Sequence, residues 1–282
     1  MREQDPLSAQ LAATAHWTAS VRAMESARDD CLFHDPWAEA LAGDEGRAWI
    51  AQRPADRLVP IVLRTRFFDD FVQLVAREQA VPQVVLLAAG LDTRAFRLEW
   101  PQNTRVFELD RPEVLQHKAR VLGQAGAEPA CERSVVETDL AGPWTKDLVA
   151  AGFCPTVPCL WLLEGLLFYL TNDHLRRILD DVTLLAAPGS WIGFDIINSV
   201  MLTHPLTREW IEMQAQAGAP WIGTLDNPVE YLAERGWQAR LTQAGQPDAK
   251  HGRWPYPVLP TTMPDVPHNW FVTGHKKAAL ET

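Results

Sequence analysis

From residue 83 onward the apolar positions fall in short, nearly unbroken runs. QVVLLA (83–88), TRVFELD (104–110), SVVETD (134–139), VPCLWLLEG (157–165) and SWIGFDII (190–197) are rich in β-branched and aromatic residues, the pattern of strands buried on both faces. Helical patterns lie between them, at 111–122, 142–152 and 172–186. Strand and helix alternating in this way predict a parallel sheet wound on both faces.

The flanking segments differ. Residues 7–28 read as a helix, with Leu7, Leu11, Ala15 and Thr18 near a 3.6-residue period and Pro6 suited to its first turn. HDPWAEALAG (34–43) opens a second helix, with Asp35 as N-cap before Pro36 and Gly43 at its end. An amphipathic stretch over 55–79 makes a third, its first turns bent by Pro60. Near the other end, 226–236 reads as a capped helix, followed by strands at 237–245 and 268–276. Two strands joined without a helix are expected to pair antiparallel at a sheet edge. The expected fold is α/β and doubly wound, with seven strands and the last antiparallel. Residues 1–80 form a helical cap within the same domain, and 81–282 form the core, with insertions around 199–225 and 246–268.

In such a sheet, ligands bind across the carboxyl ends of the strands. The first run ends at Ala88-Ala89-Gly90, the second at Asp110, the third at Asp139 and the fourth at Glu164. Asp110 lies 20 residues beyond Gly90, the spacing at which an acidic side chain meets a ribose. Asp139 followed by Leu140 suits an adenine amino group and ring, and Glu164 suits a cationic end of the ligand. Each carboxylate taken singly also fits an N-cap, as Asp110 does before RPEVL. Their succession along one rim favours a ligand with cationic groups and no phosphate.

Composition narrows the classes. Net charge is −10, from 26 Lys+Arg against 36 Asp+Glu, which repels a phosphate backbone and argues against nucleic acid as a partner. The start, MREQDPLSAQ, lacks a basic region followed by an apolar stretch, and CLWLL is too short to span a bilayer; a cytoplasmic location with no membrane partner is the expectation. Cys31, Cys131, Cys154 and Cys159 form no CxxC pair, so reduced, buried thiols are expected and no metal site. The twelve Trp include Trp210, Trp221, Trp254 and Trp270 outside the central runs. The stretch around Trp210 and Trp221, with the Trp254-Pro255-Tyr256 turn, suits the walls of a pocket for an apolar or aromatic ligand.

LAAGLDTRAFRLEWP, RVFELDRPEVLQHK, ETDL, LWLLEGLLFYLT, and upstream FHDPWAEALAG with VLRTRFFDD, resemble the S-adenosylmethionine-dependent methyltransferases related to leucine carboxyl methyltransferase. The similarity runs in order from about residue 14 to residue 275 and is nearest the bacterial branch with polyketide carboxyl O-methyltransferases. It implies a Rossmann-like methyltransferase sheet and S-adenosyl-L-methionine as cofactor. By position it implies that Arg64 grips the methionyl carboxylate; Ala88, Ala89 and Gly90 form the first-strand loop. Asp110 then takes the ribose, Asp139 and Leu140 the adenine, and Glu164 the methionyl end. The family's loop usually reads G-A-G, whereas Ala88 stands at its first position here; its methyl matters little if the backbone angles there are ordinary.

Methyl transfer to a carboxylate needs no general base, and transfer to a hydroxyl does. The resemblance places Tyr169 facing the acceptor, as a donor to an acceptor oxygen; a buried Tyr bonded to the backbone is the plain alternative. Arg22 could orient an acceptor carboxylate or be a solvated helix charge, and Arg64 on its helix also reads as a surface charge. His204, His251 and His268 read as surface or loop histidines. The expected activity is O-methylation of a carboxylate on a small molecule, such as a secondary metabolite, or on a peptide end. Alternatives are phenol or alcohol O-methylation, and binding of the cofactor without turnover; an NAD-dependent dehydrogenase fits less well because the loop lacks its glycines.

Overall fold

The structure, a computed structural model, describes residues 6–53 and 55–277. It opens with three helices, α1 (Pro6–Ser26), α2 (Ala38–Ile50) and α3 (Val59–Glu78). The side chains of Leu7 and Leu11 lie outside the described residues. Then come β1 (Gln83–Leu87), α4 (Arg94–Arg97), β2 (Arg105–Asp110), α5 (Pro112–Gln124), β3 (Glu132–Glu137), α6 (Trp144–Ala150), β4 (Cys159–Leu163), α7 (Asn172–Leu185) and β5 (Trp191–Ile197). The chain continues through α8 (Arg208–Gln216), α9 (Pro228–Ala233), β6 (Trp237–Gln243) and β7 (Asn269–Lys276).

The seven strands form one sheet in the order β3-β2-β1-β4-β5-β7-β6. β1 to β5 are mutually parallel, and β7 runs antiparallel to both β5 and β6. The two final strands pair as expected, but β7 inserts beside β5, so only β6 lies at the edge. β1 is central: Val85 stands between Phe107 of β2 and Trp161 of β4. Its five residues are all buried, which explains why the run shows no alternation. On one face α3 sets Phe67, Phe68, Phe71 and Val72 against Val84 and Leu162. On the other, Trp144, Phe153 and Leu179 pack with Phe107 and Trp161.

Several local expectations give way. Pro60 does not bend a helix; it occupies the first turn of α3, where its missing N–H costs nothing, after a 3₁₀ turn at Ala55–Leu58. Gly43 does not end α2: at φ 58° and ψ −164° it kinks a helix that continues to Ile50. Asp35 is not the N-cap, which is Trp37; the Asp35 carboxylate turns inward instead. Within the insertion at 199–225 the chain forms α8, which the apolar pattern did not announce.

The loop leaving β1 also departs from the expected backbone angles. Ala88 has φ 54° and Gly90 φ 47°, so the alanine sits in the left-handed region that its Cβ disfavours. Ala88→Gly therefore relieves strain, offset by the greater freedom of glycine in the unfolded chain. The variant is expected to be more stable by about 0.5–1 kcal/mol in urea denaturation; equal or lower stability would contradict the strained geometry.

Candidate active site

A cavity of about 650 Å³ opens over the carboxyl ends of β1 to β4 and beneath the helical cap, within the range of small-molecule sites. The predicted cofactor and acceptor residues all line it, whereas the Trp254-Pro255-Tyr256 turn does not. Ala88, Ala89 and Gly90 come from the loop after β1, Asp110 from β2, Asp139 and Leu140 from the turn after β3. Glu164 and Tyr169 follow β4, and Arg22 and Arg64 reach in from α1 and α3.

Asp110 does not cap α5, whose N-cap is Arg111 with no side-chain bond. Its Oδ2 accepts from the Gly90 N–H at 2.6 Å and its Oδ1 from the Arg111 N–H at 2.7 Å. Burial pushes the carboxyl above its ordinary range against the pull of these two N–H groups. A carboxylate offers about four acceptor positions, so Asp110 keeps capacity for hydroxyl donors. The same bond removes the Gly90 N–H, which a phosphate-binding loop would need to offer its ligand. The rim thus fits a ribose and cationic groups better than a diphosphate. Asp139 is exposed and ties down its own turn, accepting from Ala141 N–H at 2.8 Å through Oδ1.

Beneath the far end of the cavity lies a chain of buried ion pairs. Arg64 is no surface charge: its Nε donates to Glu164 Oε1 at 3.0 Å and its Nη1 to Asp195 Oδ2 at 2.9 Å. Its Nη2 makes no hydrogen bond among the described residues and stays available to the cavity it lines. The two carboxylates raise its pKa well above the ordinary guanidinium value, overcoming the opposing effect of burial. Arg94 Nη2 stands 2.7 Å from Glu164 Oε2 in an ion pair that is not aligned as a hydrogen bond. Arg94 also pairs with Asp92 and with Asp69, which binds Arg97 in turn. Arg22 is buried as well, not solvated: it donates to Asp35 Oδ2 at 2.8 Å and to Leu91 O at 2.6 Å. Asp35 also accepts from Thr93 Oγ at 2.6 Å.

Tyr169 joins this polar end to an aromatic wall. Its ring lies 4.7 Å from Phe168, Phe168 lies 4.5 Å from Trp221, and Trp221 lies 5.8 Å from Trp210. Trp17 and Trp49, stacked at 5.1 Å, also line the cavity. Burial raises the Tyr169 hydroxyl above its ordinary pKa. Gln214 of α8 lines the same end, only 4% exposed, and its Oε1 has no partner among the described residues; no motif or period in the chain points to it. Residues 246–268 add nothing to this lining. Trp254 packs instead over Gly245, where a Cβ would run into its ring, and Trp270 is buried in the core beside His268.

Other expectations need correction. His268 is buried, with Nδ1 2.7 Å from Gln243 Oε1. Cys154 is exposed, whereas Cys159 is buried and its thiol is pushed up to about 12 by burial. Among the described residues no cluster of His, Cys, Asp and Glu could hold a metal ion, and no helix is long and apolar enough to cross a membrane.

A doubly wound sheet with β7 reversed, and a rim that suits an adenosine with a cationic tail, define a methyltransferase-type site. Residues 15–183 match the leucine carboxyl methyltransferase family, and the chain belongs to it. A relative from Parafrankia sp. (strain EAN1pec), provisionally named an S-adenosyl-L-methionine-dependent methyltransferase, is 40% identical over 83% of this chain and 78% of its own. One from Streptomyces avermitilis with the same provisional name is 39% identical over 86% and 88%. Among solved structures, a provisional methyltransferase from Thermobifida fusca has a TM-score of 0.60 at 17% identity, covering 94% of each chain. A further structure from Streptomyces avermitilis also reaches 0.60, at 14% identity, covering 92% of this chain and 96% of its own. These two likenesses establish the shared fold.

The ion chain carries a pH signature. Burial alone would raise the Asp92 carboxyl, but Arg94, Lys118 and Arg97 outweigh it and hold the pKa at about 2. A depressed carboxylate stabilises the fold above its unfolded pKa, and that contribution disappears as pH falls through the folded value. Asp92→Asn is expected to cost about 2 kcal/mol at neutral pH and progressively less as pH falls from about 4 to 2. Denaturant unfolding of both proteins across that range checks this, and a pH-independent difference would contradict it.

Proposed function

We propose that this chain is an S-adenosylmethionine-dependent O-methyltransferase that esterifies a carboxylate on an apolar or aromatic small molecule or peptide end. The cofactor supplies a methyl group already activated by its sulfonium. Asp110 holds the ribose hydroxyls, Asp139 and Leu140 the adenine, and Ala88, Ala89 and Gly90 the loop along which the adenosine lies. The free Nη2 of Arg64 meets the methionyl carboxylate, and Glu164 the ammonium. Arg22 is a positioning residue, tying α1 to the loop after β1 through Leu91 O.

The observation that carries the carboxylate reading is Tyr169. A phenol at the junction of the charged end and the aromatic wall carries its proton at neutral pH, so it can donate to an acceptor oxygen and is poorly suited to take a proton from it. A carboxylate acceptor needs only that donation, together with a dry setting opposite the methyl donor. The family's own description, naming a carboxyl methyltransferase, supports the same choice. The aromatic lining from Trp17, Trp49, Trp210 and Trp221 supports an acceptor with an apolar or ring-bearing body.

The test is to incubate the enzyme and S-adenosylmethionine with fractionated small acids and follow a mass gain of one methylene. The product is expected to be an ester that mild alkali hydrolyses; an alkali-stable ether would replace this reading with phenol or alcohol methylation. Cofactor binding with no methylated product from any acceptor class would replace it with a binding protein.

The wall gives a second prediction. Trp221→Ala is expected to raise the acceptor KM about tenfold with little change in S-adenosylhomocysteine affinity. Trp254→Ala, outside the cavity, is expected to leave both unchanged, and equal effects of the two substitutions would remove the wall from the acceptor site.

A further inference from the structure

We propose that Asp195 is a positioning residue for the cofactor's amino-acid end, acting by fixing the direction in which Arg64 presents its guanidinium. The proposal rests on the reading of Arg64 as the grip on the methionyl carboxylate. Asp195 lies within β5, fully buried, and lines none of the cavity. It reaches the site only through its two oxygens: Oδ2 accepts from Arg64 Nη1 at 2.9 Å, and Oδ1 accepts from the Gly165 N–H at 2.6 Å.

Those two bonds fix both halves of one contact. Gly165 has φ 68°, and a Cβ there would lie 3.2 Å from Arg64 Nη2 and 3.3 Å from Nη1. The guanidinium therefore rests against a bare backbone, and the carboxylate that holds the guanidinium also holds that backbone. Glu164 takes Nε on the other side. Of the five N–H groups of a guanidinium, the two committed to Glu164 and Asp195 set the plane, and three remain, one on Nη1 and the pair on Nη2. Without Asp195 the side chain would keep one anchor, at Nε, and could rotate about it.

Asparagine separates the two bonds. It can still accept from Gly165 N–H through its oxygen, but it offers Arg64 an amide NH₂ where a carboxylate oxygen stood. Asp195→Asn thus loosens Arg64 while sparing the turn that carries Glu164.

Two ligands report on this difference. S-adenosylhomocysteine has the adenosine and the amino-acid end, whereas 5′-methylthioadenosine has the adenosine alone. In calorimetric titrations of the full chain, Asp195→Asn is expected to weaken S-adenosylhomocysteine about tenfold or more and to leave 5′-methylthioadenosine within about twofold. Equal loss of both ligands, or loss of neither, overturns the proposal. Arg64→Gln is titrated alongside. If it does not lose S-adenosylhomocysteine selectively, the reading of Arg64 itself fails; if it does and Asp195→Asn does not, only the role of Asp195 fails. Should Asp195→Asn not fold, the double variant Arg64→Gln/Asp195→Asn, which removes both charges together, is compared with Arg64→Gln. Matching affinity for S-adenosylhomocysteine supports action through Arg64, and a further loss overturns it.

Discussion

A continuous run of buried ion pairs holds the helical cap to the sheet. It passes from Arg22 and Asp35 through Arg97, Asp69 and Arg94 to Glu164, Arg64 and Asp195. Its members come from α1, the segment before α2, α3, α4, the end of β4 and the interior of β5. Burying so many charges stabilises little in net terms, because desolvation offsets most of the attraction. Removing one member leaves its partners charged and unpaired in the interior, which costs far more. The network is therefore better understood as a device that admits one arrangement of cap on sheet. That arrangement closes the cavity from above.

The same network sets the electrostatics of the site. Its guanidiniums are Arg22, Arg64, Arg94 and Arg97, and its carboxylates are Asp35, Asp69, Asp92, Glu164 and Asp195. With all groups ionised, the carboxylates outnumber the cations by one. The surplus lies in a region of low dielectric, where charge is felt strongly. At the end of the cavity the network presents one charge of each sign side by side, Arg64 and Glu164. Under the proposed function these two charges meet the carboxylate and the ammonium of the methionyl end.

The sheet was largely legible because buried strands leave short apolar runs that helices do not. The rim was legible because Asp110, Asp139 and Glu164 come at the ends of such runs, where the fold places ligands. Arg22 and Arg64 show where that reading stops. A charge on one face of an amphipathic helix looks the same whether the face meets water or a buried carboxylate, and only the packed structure separates the two. Asp195 was hidden differently: it sits inside the run SWIGFDII, two residues before the strand ends, so a search of strand ends passes over it. The left-handed φ of Ala88 was signalled only by the glycine that the resembling family carries at that position, since alanine itself does not announce such a backbone. Trp254 and Trp221 were indistinguishable as aromatic residues outside the strands, and only the folded structure separates the one that packs over Gly245 from the one that walls the cavity.

The loop after β1 shows how a site can do without several glycines. Ala88 and Gly90 both take positive φ, and the resulting turn brings the Gly90 N–H onto Asp110. The N–H that a phosphate loop would offer its ligand is thus spent inside the protein, and the carboxylate that takes it becomes an ordered acceptor. A site for a diphosphate could not afford that exchange. One for a ribose gains from it, because the ribose is recognised by acceptors, and an acceptor fixed in advance loses little freedom on binding. The strain at Ala88 and the single glycine at 90 belong to one solution, in which the loop serves to aim Asp110.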